Sequence, residues 1–511
     1  MRITNKMMTN NALYNINNNK NLMSRLEQQY SSGKKITKPS DDPIVAVRAL
    51  KFRTNLSELN QYYEKNIPEA LAWMDVTESA LNTVNEIITS MNTYCNQGAN
   101  DYPTAEDRNA IAENLEQLKG QLYQEGNTNY AGRYVFSGYK TDTSLVFNEE
   151  MTNLEYTITE PLNPETIDRV SKVINEVNID DYNPDDLAAW DTTVPTKVEA
   201  YRLKLSYMEL AENKDIVSFS YKDKDGNTHA LTDTTTPKIV TVSATDTNAY
   251  APEDGTIHFI PENGELILSD DMYETLRTAT DIQAVYEKDH FYTNDLRPEH
   301  YFSCVKTDTD KAIEQGKNPI EYTKEYDEDG HVIGQPIEYE VNFNQKLTIN
   351  TEGHEAFTTG IGRMIEEIII SIEAVKNVED SMAEVDKMLE DSSISDEQRV
   401  TLEEIKEQLK SEFTLKTAIM TEAFQRGITT TEKEQENINV AVADLGGRYK
   451  RLLLTESRLS DQQVDFSDLL SQNEDADLVD TIIKYSAAET VYNSSLSAAS
   501  KLVQTSLMDF L

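Results

Sequence analysis

Apolar residues recur every three or four positions near both ends of the 511-residue chain, which is the spacing of one face of an α-helix. Many asparagines interrupt the N-terminal stripe, so this helix should be marginal in isolation and should order only when a partner covers the stripe. The residues predicted to form the N-terminal assembly seam are Met8, Ala12, Ile16, Met23, Leu26 and Tyr30.

The C-terminal segment carries a second stripe with the same spacing, which is incompletely apolar because Glu489 and Ser506 occupy seam positions. An apolar seam on an exposed helix needs a cover, and the N-terminal helix is the obvious candidate. We therefore predict that the two terminal helices pair. The residues of the C-terminal seam are Leu478, Ile482, Tyr485, Tyr492, Leu496, Ala499, Val503 and Phe510.

A longer seam runs from Leu56 to Cys95 in steps of three and four, and Pro68 should kink or restart this helix. Thr104 can cap a further helix together with Asp107, three residues on. Helical spacing returns in the last third of the chain. These segments predict a helical bundle built from both halves of the chain. By spacing alone, such seams are more typical of an intramolecular bundle than of a polymer.

The period changes to two between about residues 150 and 355, for example from Val217 to Tyr221. Asp-Gly pairs, which favour hairpin turns, stand at Asp225–Gly226 and Asp329–Gly330. The predicted fold class is therefore mainly α with a β-rich insertion. The pair Gly446–Gly447 predicts a bend in the helical segment that follows the insertion.

Charge and hydropathy exclude two kinds of partner. With Lys+Arg 47 against Asp+Glu 90 the net charge is −43, which repels phosphate backbones and anionic lipid, so we expect no nucleic acid and no membrane partner. No apolar run approaches the roughly 20 residues of a membrane helix. The start of the chain is too polar for a cleaved secretory signal.

Positive charge is nevertheless concentrated near the N-terminus. It could meet an acidic surface of a neighbouring copy, or it could belong to a solvated helix face, and the sequence leaves both interpretations open. The basic residues are Arg2, Lys6, Lys20, Arg25, Lys34, Lys35, Lys38 and Arg48.

Residue types that carry out chemistry lack the spacing that chemistry requires. No two of the six histidines have zinc-site spacing, and Cys95 and Cys304 have no metal or redox spacing. The turn from Asp223 to Asn227 resembles part of a calcium loop but lacks ligands at the first and twelfth loop positions. We predict no catalytic residue, no metal and no cofactor, and hence no enzyme.

Two stretches resemble a known family. Ser32 to Pro43 resembles the N-terminal signature shared by flagellins and flagellar hook-associated proteins, and Gly132 to Thr141 resembles the hook-filament junction proteins, or hook-associated proteins type 3. The C-terminal helices are similar to that family, and nothing is transferred to the β-rich middle. The signature residues are Gly33, Pro39, Asp41, Asp42, Pro43, Gly132, Arg133, Tyr134, Phe136, Gly138 and Tyr139.

The resemblance implies a fold with paired N- and C-terminal helices in a tube core, a surrounding α-helical bundle domain, and an outward β-rich variable domain. The expected segments are the N-terminal part of the core (1–45), the two halves of the bundle (46–148 and 359–470), the insertion (149–358) and the C-terminal part of the core (471–511).

The implied function is that of a structural subunit at the junction between the flagellar hook and the flagellin filament. The implied partners are the type 1 hook-associated protein, flagellin, copies of the chain itself in a ring, and an export chaperone at the C-terminal helix. Export through the flagellar type III channel implies an extracellular location in the bacterial flagellum, reached without a cleaved signal peptide.

Two alternatives stay open. A flagellin would have the same terminal chemistry but would be repeated along the whole filament. A surface-displayed binding or enzymatic module could lie within residues 149–358, which contain all six histidines and many aromatic residues. Aromatic residues that alternate along strands more often belong to a core.

Overall fold

The computed structural model describes residues 5–100, 104–211, 216–246, 248–308, 319–326, 332–391 and 394–508. The Asp329–Gly330 turn, Arg2 and the seam residue Phe510 lie outside the described residues. So do the side chains of Asn5 and of residues 502–508, which include the seam residue Val503.

Long helices occupy both ends of the chain. The described α-helices are α1 (Asn5–Ser32), α2 (Pro43–Gln61), α3 (Ile67–Asn100), α4 (Ala105–Glu125), α5 (Asp270–Leu276), α6 (Pro298–Tyr301), α7 (Gly353–Ala356), α8 (Thr359–Glu390), α9 (Asp396–Glu474) and α10 (Leu478–Met508).

The strands fall in the middle of the chain, apart from one short hairpin ahead of the insertion. They are β1 (Asn129–Tyr130), β2 (Arg133–Tyr134), β3 (Leu154–Leu162), β4 (Asp168–Ile174), β5 (Thr196–Lys204), β6 (Ser218–Lys222), β7 (Thr228–Leu231), β8 (Lys238–Thr241), β9 (Thr256–Ile260), β10 (Glu265–Leu268), β11 (Thr280–Lys288), β12 (Ser303–Asp308), β13 (Ile320–Tyr322), β14 (Glu338–Asn342) and β15 (Gln345–Thr348). The predicted fold class, mainly α with a β-rich insertion, is confirmed.

The chain forms two compact units. The first contains Met1–Leu71, Tyr339–Leu347 and Lys450–Leu511, and the second contains Ala72–Glu338 and Thr348–Tyr449. The helices α3 and α9 therefore contribute residues to both units. The segment boundaries at 45, 148, 358 and 470 stay predictions.

In the first unit the two terminal helices pack against each other and run antiparallel. The carbonyl of Gly33, just after α1, accepts a hydrogen bond from the amide of Ala476, just before α10 (2.8 Å). Farther along, Asn19 Nδ2 donates to Ser495 Oγ (3.0 Å). The predicted pairing of the N- and C-terminal helices is confirmed.

A π-helical turn (Tyr62–Asn66) separates α2 from α3 immediately before Pro68. Proline lacks an amide hydrogen, and its ring crowds the carbonyl four residues back, so an α-helical ladder cannot run through this point. The amide of Ile67 bonds instead to the carbonyl of Tyr62, five residues back. Pro68 therefore restarts the helix, as the sequence predicts.

Two sheets pack face to face in the second unit. Their strand orders are β13-β12-β3-β11-β6-β7 and β4-β5-β10-β9-β8, and the β8–β9 pair is parallel. In β3 every second residue is buried, so one face of the strand points into the shared core. Side chains from both sheets fill this core, among them Tyr156, Ile158, Leu203, Phe219, Phe259, Leu266, Ala284 and Tyr286.

The helical part of the second unit uses the predicted seam of α3. The seam residues Met74, Thr77, Leu81, Val84, Ile88, Met91 and Cys95 are all buried. Asn92 Nδ2 joins α3 to α9 by donating to Thr431 Oγ1 (2.8 Å). The helix α4 begins with the predicted capping box between Thr104 and Asp107. The helix α9 continues unbroken through Gly446 and Gly447, where the sequence predicts a bend.

A buried ion cluster ties the five-stranded sheet to α8 inside the second unit. The guanidinium of Arg202, a residue only 2% exposed, donates to Asp168 (2.9 and 2.7 Å), to Glu265 (2.6 Å) and to Glu367 (3.2 Å). Glu367 also accepts hydrogen bonds from Lys204 (2.6 Å) and Arg426 (2.5 Å). Each charge in the cluster therefore has a partner of opposite sign.

The pKa of Glu367 reflects this surrounding charge. Burial by itself would raise the pKa, but the positive charges of Arg202, Lys204 and Arg426 outweigh burial and hold it well below its ordinary value. The carboxyl is therefore charged throughout the physiological pH range.

We predict that Glu367→Gln lowers the free energy of unfolding of the second unit by about 3 kcal/mol at pH 7, because it leaves buried cations short of a counter-charge. Trp73 and Trp190 are the two tryptophans of the chain and both belong to this unit, so their fluorescence in a urea titration reports its unfolding.

The matched control is Glu373→Gln, an exposed residue on the same helix, which should change the free energy by less than about 0.5 kcal/mol. A carboxyl with a lowered folded pKa stabilises above its unfolded pKa of about 4.3, and this contribution is lost as the pH falls through the folded value. The difference between wild type and Glu367→Gln should therefore shrink below about pH 4. Equal effects of the two variants at pH 7 would contradict the prediction.

Candidate assembly site

The covered face of α1 follows the predicted stripe in its central part. Ile16 and Leu26 are buried, and Ala12 and Met23 are half-buried. Asn19 lies on the same face and makes the hydrogen bond to Ser495. Met8 and Tyr30, the outermost residues of the predicted N-terminal seam, are exposed.

The covered face of α10 is built from small and polar residues as well as tyrosines. Thr481 and Ala488 are buried, and the residues between and beyond them on this face are half-buried. The face steps four and three residues in turn, which is the spacing of a helix seam. Its members are Thr481, Tyr485, Ala488, Tyr492, Ser495 and Ala499.

The most apolar residues of α10 lie beside this covered face. Leu478, Ile482 and Leu496 belong to the predicted C-terminal seam, yet all three are exposed. Tyr485, Tyr492 and Ala499 of that seam are on the covered face. Because the largest apolar side chains define the predicted seam, it omits Thr481, Ala488 and Ser495. The sequence signal for this face is the regular spacing of these three residues with Tyr485 and Tyr492.

The terminal pair therefore has a thin core. Among the described residues, α1 buries only Ile16 and Leu26, and α10 buries only Thr481 and Ala488. Neither alanine nor threonine removes much apolar area from water, so burial stabilises the pair weakly. Exposed apolar side chains remain on both helices, including Leu13 and Leu22 of α1 and Ile483 of α10.

A short joint, residues 33–36 with residues 472–476, fastens this pair at one end. The backbone amide of Lys35 donates to the carbonyl of Glu474 (2.7 Å), alongside the bond from Ala476 to Gly33. The Lys35 ammonium donates to the carbonyl of Gln472. Gly33 has φ +68°, a left-handed conformation that a residue with a Cβ adopts at a cost. This glycine lets the chain turn out of α1 and reach Ala476.

Three ionic contacts close the same joint. The ammonium of Lys34 binds both Glu474 (2.6 Å) and Asp475 (2.5 Å). Arg53 on α2 reaches the second oxygen of Glu474 (2.7 Å), whose side chain is only 7% exposed. Each oxygen of the Glu474 carboxylate, at the end of α9, therefore binds one cation.

The pKa values at the joint record these contacts. Hydrogen bonds to Asp475 and Glu474 raise the pKa of Lys34. Burial acts to raise the pKa of Glu474, but hydrogen bonds from Lys34 and Arg53 outweigh it and lower the pKa. The hydrogen bond from Lys34 also lowers the pKa of Asp475. The joint is therefore fully ionised near neutral pH.

The rest of the first signature prepares the start of α2. The carboxylate of Asp41 accepts hydrogen bonds from the amides of Lys38 (2.9 Å) and Thr37 (3.1 Å), which lower its pKa. Asp42 caps α2 by accepting from the amides of Ile44 and Val45. Pro43 is the first residue of α2, where a missing amide hydrogen costs nothing. Pro39 is exposed in the loop between α1 and α2.

The second signature is a turn built in the second unit. The short β1–β2 hairpin carries Arg133 and Tyr134. The guanidinium of Arg133 lies over the Trp73 ring (5.0 Å to the centroid). The amide of Tyr134 donates to the carbonyl of Thr141 (2.8 Å). The Asn129 side chain accepts from the amide of Gly132, which has φ +84°.

The signature then continues into the core of the unit. Phe136 is buried and meets Phe357 edge to face (ring centroids 4.9 Å apart). A Cβ on Gly138 would stand 3.0 Å from Gln335 Oε1, at φ +60°, so glycine is needed here. Tyr139 is exposed and donates to the carbonyl of Pro336 (3.2 Å). These residues hold a turn and leave Tyr139 on the surface.

Both cysteines and one histidine, whose side chains could take part in chemistry, are buried in the packed structure. Burial raises the pKa of both Cys95 and Cys304 to about 12, so these thiols are poor nucleophiles at neutral pH. Burial lowers the pKa of His300 to about 4, and its ring nitrogen bonds to the carbonyl of Ser144 (3.0 Å). In the described part of the chain no three His, Cys, Asp or Glu side chains cluster as metal ligands would. Within the same residues no helix is long and apolar enough to cross a membrane.

Comparisons with known proteins agree with both signatures. Residues 3–141 match the family model of the bacterial flagellin N-terminal helical region. A flagellin from Clostridium tyrobutyricum is 34% identical over 128 residues, which are 25% of this chain and 34% of that protein. Flagellar hook-associated protein 3 from Salmonella typhimurium is 32% identical over 147 residues, which are 28% of this chain and 45% of that protein. The chain thus spans less than half the length of these two relatives.

Among solved structures, flagellar hook associated protein-3 from Legionella pneumophila is 12% identical, with a TM-score of 0.33, and the match covers 82% of this chain and 97% of that one.

The chain is therefore similar, over residues 3–141, to the N-terminal helical region of bacterial flagellins. Its resemblance to hook-associated protein type 3 is also confirmed.

We predict that Glu474→Gln loosens the joint at residues 33–36 and 472–476. Lys34 and Arg53 would each lose a charged acceptor, which is worth about 1.5 kcal/mol or more per hydrogen bond. Hydrogen exchange at the amides of Lys35 and Ala476 should accelerate by about tenfold, which corresponds to about 1.4 kcal/mol.

The control is Asp480→Asn, which breaks the exposed pair with Lys484 one turn into α10 and should leave these two amides unchanged. The effect of Glu474→Gln should also shrink below about pH 4, where carboxyls with lowered folded pKa values lose their contribution. An unchanged exchange rate at pH 7 would rule out an ionic role for the joint.

A second prediction concerns the thin core of the terminal pair in the free monomer. Because the pair buries few side chains, α1 and α10 should open far more often than the buried seam of α3. Hydrogen exchange with mass spectrometry on a verified monomer should show exchange within seconds for peptides from residues 6–30 and 480–501. Peptides from residues 74–95 should stay protected, and equal protection of the two sets would contradict the prediction.

Proposed function

We propose that this chain is the structural subunit that joins the flagellar hook, through the type 1 hook-associated protein, to the flagellin filament. The observation that carries the proposal is the terminal pair. It holds together at an ionic joint yet leaves apolar side chains such as Leu478, Ile482 and Leu496 uncovered. Such surfaces need a protein partner, and a polymer of related subunits supplies one at each end.

The second signature favours the junction over the filament. The turn of residues 132–141 is similar in sequence to hook-associated proteins of type 3, and its residues Phe136 and Gly138 are packed within the second unit. We propose that the chain forms a ring of copies between the type 1 hook-associated protein and flagellin. In this position it acts as a connector with no catalytic role.

The thin core also fits a chain that is exported before it assembles. A pair of helices that opens easily can travel unfolded through the flagellar type III channel and close again outside the cell. The exposed apolar residues of α10 would need cover before export. We propose that a chaperone binds there, and that the chain reaches the flagellum without a cleaved signal peptide.

A flagellin is the second candidate, favoured by the 34% identity to the Clostridium tyrobutyricum flagellin. The two proposals differ in copy number. A filament subunit would be the major protein of sheared filaments, whereas a junction subunit would be a minor component found at one end.

We predict that removal of residues from Val491 onward abolishes filament attachment, because it deletes half of the face of α10 that covers α1. Cells carrying this truncation should retain hooks and release flagellin into the medium. Electron microscopy of the cells and immunoblots of the medium give the readouts. Normal filaments on cells with the truncated chain would contradict the proposal.

A matched pair of substitutions separates the covered face from the length of the helix. Tyr492→Glu places a charge on the covered face, and Asn493→Glu places the same charge on an exposed position one residue on. Burying an unpaired carboxylate is costly, so Tyr492→Glu should reduce attached filaments by tenfold or more. Asn493→Glu should leave filament number close to wild type.

A further inference from the structure

Two uncovered helix faces in the first unit carry opposite charges. The first, called here the basic stripe, lies on α2 and consists of Ile44, Val47, Arg48, Leu50 and Lys51. The second, called here the acidic stripe, lies on the distal part of α9 and consists of Leu454, Asp461, Val464, Asp465 and Asp468. The charges of the basic stripe are all positive. The acidic stripe has three carboxylates, and the exposed Arg458 on the same face of α9 donates to Gln345 Oε1 (3.2 Å).

Both stripes are helix faces pointing to solvent. Their apolar residues are 54% (Val47) to 68% (Ile44 and Leu454) exposed. In α2 the buried residues Ala46 and Ala49 mark the packed side, so the basic stripe lies on the other side of the helix. In α9 the buried residues Leu452, Thr455 and Leu459 mark the packed side in the same way.

The charges in these stripes have no ion-pair partner among the residues that the structure describes. Neither Arg48 nor Lys51 forms an ion pair, and no ion pair is formed by Asp461, Asp465 or Asp468, as far as the described residues extend. An exposed basic helix is unusual in a chain whose net charge is −43.

Within one chain the two stripes do not cover each other. The side chain of Asn473 donates to the carbonyl of Val45 (3.0 Å), and Gln463 donates to Asn60 (2.9 Å), so α2 and α9 already pack together through their other faces. The high exposure of Val47 and Val464 shows that both outer faces are left free. A complement must therefore come from another molecule.

We propose that the basic stripe of one copy binds the acidic stripe of the next copy. Every copy carries both stripes, so a second copy of this chain supplies the complement in charge and in apolar surface. The contact is head to tail, and a head-to-tail contact repeated from copy to copy generates a ring when the rotation closes. The inference rests on the proposed ring and names the surfaces that build it.

The two kinds of residue have different tasks in this contact. The apolar residues lose water on binding and supply affinity, whereas the flanking charges select the partner and set the register of the two helices. Like-charged stripes repel, so the arrangement also disfavours two copies that meet with identical faces.

Cross-linking in intact flagella tests the contact. Chains with Val47→Cys and chains with Val464→Cys are produced together in cells, and their isolated flagella are oxidised. Background is low because Cys95 and Cys304 are buried. We expect a disulfide-linked dimer that is at least tenfold stronger than with either variant alone. The control replaces Val464→Cys by Val440→Cys, an equally exposed valine farther back on α9, and should give no dimer.

Charge reversal gives an independent readout. With the cysteines in place, Arg48→Glu with Lys51→Glu in the Val47→Cys chain should reduce the dimer at least fivefold. Asp461→Lys with Asp465→Lys in the Val464→Cys chain should do the same. Reversal of both stripes together should restore at least half of the wild-type dimer, which a folding defect in either chain would not do.

The outcomes separate this inference from the proposed function. If the chain is present at the base of the filament but the cysteine pair gives no dimer, the stripe contact is wrong and the junction role stands. If a photo-cross-linker at position 47 captures flagellin or the type 1 hook-associated protein instead of residues 454–468 of a second copy, the stripe contact is again wrong. Absence of the chain from isolated flagella would overturn both.

Discussion

The joint between Gly33–Ile36 and Gln472–Ala476 holds together two ends of the chain that are far apart in sequence. Its centre is Glu474, whose nearly buried carboxylate binds Lys34 and Arg53. A carboxylate in that position without cations would be costly, so the joint forms as a whole. The backbones of Gly33 and Lys35 form hydrogen bonds with the backbones of Ala476 and Glu474. The joint therefore also sets the register in which α1 packs against α10. The hydrogen bond from Asn19 to Ser495 follows from that register.

The two units differ in how they are stabilised. In the second unit, large aromatic and aliphatic side chains fill the space between two sheets, and Arg202 and Glu367 tie the five-stranded sheet to α8. In the terminal pair of the first unit, α10 covers α1 with small residues and two tyrosines, and several larger apolar residues of both helices remain exposed. A pair of this kind derives little stability from its own burial and gains more from a partner. This difference underlies both the proposed export in an unfolded state and the proposed assembly outside the cell.

The two sequence signatures act in different ways. Residues 33–43 make a sharp turn, an ionic joint and a helix cap in succession, so nearly every residue has a local structural task. Residues 132–141 form a turn fixed by Phe136 in the core and by Gly138, where a larger residue would be strained by φ +60° and crowded by Gln335 Oε1. Signatures built from backbone requirements of this kind tolerate few substitutions.

The sequence by itself determined most features that depend on local spacing, apart from the bend predicted at Gly446–Gly447. The buried seam of α3, the capping box at Thr104, the restart at Pro68 and the alternation of β3 all follow from periods or backbone preferences that act within a few residues. The tertiary structure decided which face of α10 is covered. The largest apolar residues predicted a face centred on Leu478, Ile482 and Leu496, whereas packing against α1 selected the smaller residues Thr481, Ala488 and Ser495. The charged contacts Lys34–Glu474 and Arg202–Glu367 join residues separated by 440 and 165 positions, and no period along the chain encodes which carboxylate a distant cation will meet.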